Sequence, residues 1–275
     1  MVIDAHQHFW NYRPENHGWI TPDMSAIRKD FLPADLAPIY KEQKVDGCVA
    51  VQVDQNEEEN GFLIDLASRY SFIKGIVGWV DFRSANIGDR LEFYSSIGIV
   101  KGFRHIVQAE ADTRFLLGDF FCRGISTLKP YHFTYDILVY AHQLEQVEEF
   151  VRRFPDQHFI IDHIAKPNIK GNSIDDWKKR ITNISKHQNV YCKLSGMVTE
   201  ADWKKWKYED LEPYMQTVLG AFGAKRLVYG SDWPVCLVAA DYGRQFGVVK
   251  KFIGSLSESE QQMILGENAV RFYHL

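Results

Sequence analysis

The chain lacks any apolar run close to the roughly 18 residues that a membrane span needs. Its first residues, Met1-Val2-Ile3-Asp4-Ala5-His6, lack a basic stretch followed by an apolar core, so no secretion signal is expected. Cysteine is scarce: Cys48, Cys122, Cys192 and Cys236 lie far apart, with no C-x-x-C pair. That spacing excludes a zinc ribbon and a dithiol redox motif, and free thiols fit a reducing cytoplasm. Excess charge is lacking too. Lysine and arginine number 32 against 36 acidic residues, a net charge of -4. Such a balance gives no electrostatic reason to expect a nucleic acid or an anionic membrane as partner. The densest basic cluster, Lys178, Lys179 and Arg180, reads as a solvated helix face. No repeat of solenoid period and no low-complexity segment interrupts the chain.

What is present suits a single globular domain over residues 1–275. Hydrophobic residues make up 45% of the chain, enough to bury a large core without staples. Short apolar runs alternate with longer stretches of helical periodicity. Strands are expected at 2–5, 46–53, 72–80, 99–103, 131–135, 158–161, 190–194 and 226–230. Between them, Leu144, Val147, Phe150, Val151 and Phe154 form one apolar helical stripe, and Leu211, Met215, Val218, Leu219 and Phe222 another. Eight strands alternating with helices predict parallel βα units. No G-x-G-x-x-G follows the first strand, which favours a (β/α)8 barrel over an open dinucleotide-binding sheet. Two long loops, about 9–33 and 197–208, leave strand C-termini, where barrel enzymes place substrate loops.

Three strand ends carry ionisable groups. His6 and His8 are two residues apart, so in a strand they share a face. They can hold one metal or grip one water. The run Ile160-Ile161-Asp162-His163-Ile164-Ala165-Lys166-Pro167 ends in charges that would be costly to bury unpaired. In Val228-Tyr229-Gly230-Ser231-Asp232-Trp233-Pro234 a carboxylate follows a strand directly; it could alternatively cap a helix.

Taken with Gly102-Phe103-Arg104-His105 and Lys193-Leu194-Ser195-Gly196, these segments resemble the amidohydrolase superfamily, and within it the amidohydrolase 2 branch of metal-dependent hydrolases. The chain is most similar there to the sugar-lactone group, the L-fucono- and L-rhamnono-lactonases. The resemblance spans essentially the whole chain. It implies a distorted (β/α)8 barrel with His6, His8, His163 and Asp232 as catalytic residues, Asp232 being the proton acceptor for an attacking water. The expected reaction is hydrolysis of a sugar lactone, a cyclic carboxylic ester, to the aldonic acid. His163, with Arg104 or Lys166, would polarise the carbonyl, and His163 would protonate the leaving alkoxide. Trp10, Gln52, Arg104, His105, Asp136, Lys166 and Trp233 are the expected substrate-binding residues, His105 orienting Arg104 from a turn.

The chain departs from the superfamily's metal pattern. No histidine closes the fifth strand, His132 standing near its start, and an arginine beside a cation repels it. The preferred expectation is therefore a reaction without a required metal. The alternative is one divalent ion, zinc first, on His6, His8 and Asp232. Two rival functions stay open: a metal-dependent amidohydrolase or decarboxylase acting on another small cyclic or carboxylated substrate, and a sugar-binding protein on an inactive barrel. The sequence does not fix the oligomeric state.

Overall fold

A computed structural model describes all 275 residues. Eight parallel strands pair in chain order: β1 (Ile3–Gln7), β2 (Gly47–Val51), β3 (Ile73–Gly78), β4 (Val100–His105), β5 (Thr134–Ile137), β6 (Phe159–Ile161), β7 (Val190–Leu194) and β8 (Leu227–Tyr229). A helix follows each strand, the first spanning Pro33–Gln43 and the eighth Tyr242–Ile253. This is the (β/α)8 barrel that the alternation predicts, and no helix is long and apolar enough to cross a membrane. The helices form where the apolar stripes lie. Leu144, Val147, Phe150 and Val151 are all buried along Leu144–Arg153. Asn56 accepts from Glu59 N at 2.9 Å and caps Glu57–Arg69, whose first turn is acidic, as a helix dipole favours.

Alternation along each strand separates two cores. Outward residues such as Phe103, Tyr135, Ile137, Phe159 and Tyr229 pack under the helices. Inward residues Ile3, Ala5, Val49, Val51, Val77, Ile160 and Val228 fill the lower barrel. The C-terminal helix Asn268–Tyr273 closes that end with Phe272 and Tyr273. By the same alternation Arg104, Asp136 and Lys193 belong to the inner face, each following an outward apolar residue (Phe103, Tyr135 and Cys192), and Asp162 stands just past the end of β6.

Two departures from regularity position the site. In β1, Asp4 accepts from Tyr40 OH (2.9 Å) and Gln7 donates to Cys48 Sγ (3.2 Å), so both face outward. Strict alternation from Asp4 would send His6 and His8 outward as well. A register irregularity between Asp4 and Gln7 changes the phase and turns both imidazoles inward. The second departure is the seam between β8 and β1. The segment after β8 closes it: Asp232 N donates to the His6 carbonyl (2.8 Å), and His8 N to the Trp233 carbonyl (2.7 Å). Asp232 is thereby fastened beside the histidine pair. Strand β5 starts later than its apolar run suggests, so Asp136 lies within it and His132 before it. Strand β4 extends through His105.

Candidate active site

Four side chains meet at the upper end of the barrel. His6 Nε2 and His8 Nε2 are 3.2 Å apart, and Asp232 Oδ1 lies 4.0 and 3.5 Å from them. His163 Nε2 approaches the same oxygen at 3.8 Å. All four residues are buried. Burial lowers the pKa of each of the three imidazoles, so they are neutral near pH 7. Burial also works to raise the Asp232 carboxyl, but His163, the hydrogen bond from His8 and the Lys166 charge outweigh it and leave the carboxyl below its ordinary value. The centre is one ionised carboxylate among three neutral rings. A neutral His163 is suited to donate a hydrogen bond to an oxygen that gains negative charge.

His163 reaches this position through unusual backbone. His163, Ile164, Ala165 and Lys166 all have positive φ (51°, 48°, 60° and 45°). Left-handed residues normally occur singly, at roughly 1–2 kcal/mol each for residues with a Cβ. Several contacts hold the run. Trp177 Nε1 donates to the Ile164 carbonyl (2.8 Å), and His163 Nδ1 meets Ser195 Oγ (2.9 Å). Gly196 has no side chain where a Cβ would lie 2.7 Å from the His163 ring. Strain of this kind gathers at functional sites.

Beneath the histidines lies a charged layer. Lys193 Nζ is 2.5 Å from Asp136 Oδ2, 2.9 Å from Asp162 Oδ1 and 3.0 Å from His6 Nδ1. Arg104 Nη1 is 3.0 Å from Asp162 Oδ2 and 3.3 Å from His6 Nε2. Two cations face two carboxylates, so the layer is balanced, as buried charge must be. Tyr273 OH donates to Asp136 (2.8 Å) and ties the layer to the apolar plug below.

Above the centre opens a cavity of about 470 Å³, within the size range of small-ligand sites. His8, Arg104, His163, Lys166 and Asp232 line it. Its walls come from both long loops, with Trp19 and Met24 from the first and Thr199, Glu200 and Trp203 from the second. Tyr140, Gln55 and Gln108 complete a wall that mixes apolar faces with hydrogen-bonding groups.

The structure therefore gathers His6, His8, His163, Asp232, Arg104 and Lys166, and places the other expected residues elsewhere. Trp10 donates to the Lys29 carbonyl (2.8 Å) and packs edge-on against Trp19 and Phe31. Trp233 packs on Phe9 and Phe31. Both tryptophans shape the first loop from within, and the exposed rings at the cavity are those of Trp19 and Tyr140. Gln52 accepts from Arg104 Nη2 (2.9 Å) and orients that guanidinium. His105 points the other way, stacked on Phe115 and bonded to Glu110 (2.7 Å), because adjacent strand residues face opposite sides. Asp136 is committed to Lys193 below the cavity. Sequence reasoning missed Lys193, Ser195, Glu200 and Trp19 as site residues. A visible signal existed for Lys193, a lysine inside the apolar run Val190–Leu194.

The donor set suits a divalent ion. His8 Nδ1 meets the Val51 carbonyl at 2.7 Å. That carbonyl only accepts, so the proton sits on Nδ1 and the Nε2 lone pair faces the centre. One nitrogen each of His6 and His8 and one Asp232 oxygen lie within 4.8 Å of one another. Two imidazoles and a carboxylate are a familiar catalytic zinc set.

Residues 3–275 match the amidohydrolase family. An L-fucono-1,5-lactonase from Burkholderia multivorans is 37% identical over 100% of this chain and 96% of its own length. An L-fucono-1,5-lactonase from Burkholderia ambifaria is 34% identical over 99% of this chain and 95% of its own. The crystal structure of an amidohydrolase from Burkholderia multivorans with bound zinc superposes with a TM-score of 0.97, at 35% identity over 100% of this chain and 99% of that one. The zinc in that structure, together with the donor set here, overturns the expectation that no metal is required. Arg104 does not bar a cation, because Asp162 already neutralises its charge and leaves the Asp232 carboxylate to meet one.

Proposed function

The chain belongs to the amidohydrolase family, and from that premise we propose that it hydrolyses sugar lactones to aldonic acids. The observation that carries this reading is the cluster of one ionised carboxylate and three neutral imidazoles at a cavity of about 470 Å³, with His8, His163 and Asp232 on its lining and His6 against His8. Full-length similarity to two L-fucono-1,5-lactonases supports a lactone as substrate. A small molecule of this kind is the partner that the cavity suits.

His6, His8 and Asp232 would hold a divalent ion, which when bound supplies a Lewis acid for the ester carbonyl and lowers the pKa of water. The chain's own groups do the rest. Asp232 accepts a proton from water as the water oxygen bonds to the lactone carbonyl carbon. His163 donates a hydrogen bond to the oxygen that gains negative charge. The ring C–O bond then breaks, and Asp232 returns its proton to the departing alkoxide. Ser195 holds the His163 ring in place throughout (2.9 Å).

The test is a pH-indicator screen of aldonolactones with and without a chelator. Acid release that is lost on chelation and restored by zinc is the expected result. No release from any lactone by the zinc-loaded protein would refute the reading.

A further inference from the structure

The cavity has two cations on its lining, Arg104 and Lys166. Neither is free. Arg104 is bound to Asp162 at 3.0 Å and to Gln52 at 2.9 Å. Lys166 lies 3.9 Å from Glu200 Oε1 and sits over the Tyr140 ring at 5.5 Å. The last pair is built into the fold. Lys166 ends the left-handed run after β6, and Glu200 ends the short helix Met197–Glu200 after β7. Lys170 N donates to the Glu200 carbonyl at 3.0 Å, which locks the two loops together. The Lys166 and Glu200 side chains are both mostly sheltered, 17% and 21% exposed, so solvent screens them only in part.

Resting on the lactonase reading, we propose that Glu200 is a specificity-determining residue that selects neutral polyhydroxy lactones and rejects lactones bearing a carboxylate. The chemistry follows from the donor inventory. A hydroxyl both donates and accepts, so one hydroxyl can accept from Lys166 Nζ and donate to Glu200 Oε1 across the 3.9 Å gap. A carboxylate only accepts. It can take a hydrogen bond from Lys166, but it then stands against the Glu200 charge with nothing to offer it. Like charges brought together in this way are strongly unfavourable. No other cation on the wall can compensate, because Arg104 is already balanced. Gln55, Gln108 and Thr199 add neutral hydrogen-bonding groups along the same wall.

The test compares two lactones of the same stereochemistry, an aldono-1,4-lactone ending in CH2OH and the aldaro-1,4-lactone ending in COO⁻. The readout is the ratio of kcat/KM for the charged over the neutral substrate, measured on the zinc-loaded protein. Wild type is expected to favour the neutral lactone. E200Q should raise the ratio by about tenfold or more, the order of one removed like-charge contact. E200D keeps the charge and should retain the neutral preference, which separates charge from shape. K166Q leaves Glu200 unbalanced and should move the ratio the opposite way from E200Q; it gives an independent reading should E200Q not fold. If wild type turns over the neutral lactone but the ratio stays put in both E200Q and K166Q, this proposal is wrong and the lactonase reading stands. If wild type turns over neither lactone nor any other in the screen, both fall together.

Discussion

The upper and lower halves of the barrel interior are made by the same eight strands, yet they differ in kind. The lower half is a dry plug in which Ile3, Val49, Val77, Ile160 and Val228 meet Phe272 and Tyr273. The upper half holds three histidines, two cations and three carboxylates, all buried. Burying apolar side chains stabilises the fold, at roughly 25 cal/mol per Å² removed from water. Burying charges contributes little net stability and can cost it. The comparison teaches that stability should reside in the plug and chemistry above it, with the Lys193 layer as the boundary that each half depends on.

The sharpest separation should come from Asp232→Asn. It keeps the shape of the carboxylate and removes the base, and lactone turnover should fall about 1000-fold or more. Thermal unfolding should move little. A large loss of melting temperature with turnover intact would erase the proposed division. His6→Asn and His8→Asn should abolish zinc retention, read by elemental analysis after gel filtration, again with the fold preserved.

Phe272→Ala probes the opposite half. It should destabilise the protein by about 3–5 kcal/mol in urea unfolding, with KM close to wild type in the folded fraction. Lys193→Met tests the boundary. Removing one partner of a buried ion cluster typically costs about 3–5 kcal/mol, since Asp136 and Asp162 would lose their shared cation. Because Lys193 also touches His6 Nδ1 (3.0 Å), zinc affinity should drop in the same variant. Unfolding and zinc titration of one preparation would show whether the two losses travel together.

The gentlest effect per unit of change is a pH slope set by Glu59, in the first turn of the helix Glu57–Arg69. Glu59 accepts from Val53 N and Asp54 N, both at 2.7 Å, and burial raises its carboxyl from 4.5 to about 8 despite those bonds. Between these values the folded protein keeps a proton that the unfolded chain has released. Stability from this group is therefore full at low pH and is lost as pH rises from 4.5 towards about 8. The slope should be on the order of 1 kcal/mol per pH unit. Glu59→Gln should remove that slope, even where losing one acceptor lowers stability overall. An unchanged slope in urea midpoints across that range would show that burial does not hold Glu59 neutral as described.

Much of this was legible in the residues. The alternation of short apolar runs with helical stripes gave eight βα units, and charges at strand ends marked the mouth. The failures have physical causes. Tryptophan types suggested sugar platforms, but sequence spacing does not say which ring a loop turns inward; Trp10 and Trp233 went into the packing and Trp19 to the cavity. His105 was paired in thought with Arg104 because they are adjacent, whereas strand residues that are adjacent face opposite ways. The metal was set aside because no histidine closes the fifth strand and Arg104 is cationic, whereas His6, His8 and Asp232 supply three donors and the partner that neutralises Arg104, Asp162, is 58 positions away in the chain.

By itself the sequence determined the barrel and the identity of its reactive groups, because periodicity and residue chemistry are local properties. Only the tertiary structure decided how those groups are charged and where they point. A change of strand phase in β1 turns His6 and His8 inward, and the seam at β8 carries Asp232 to them. Arg104, Lys166 and Lys193 each meet their counter-charge from another strand or loop. Distance in space sets an electrostatic interaction, and distance along the chain does not.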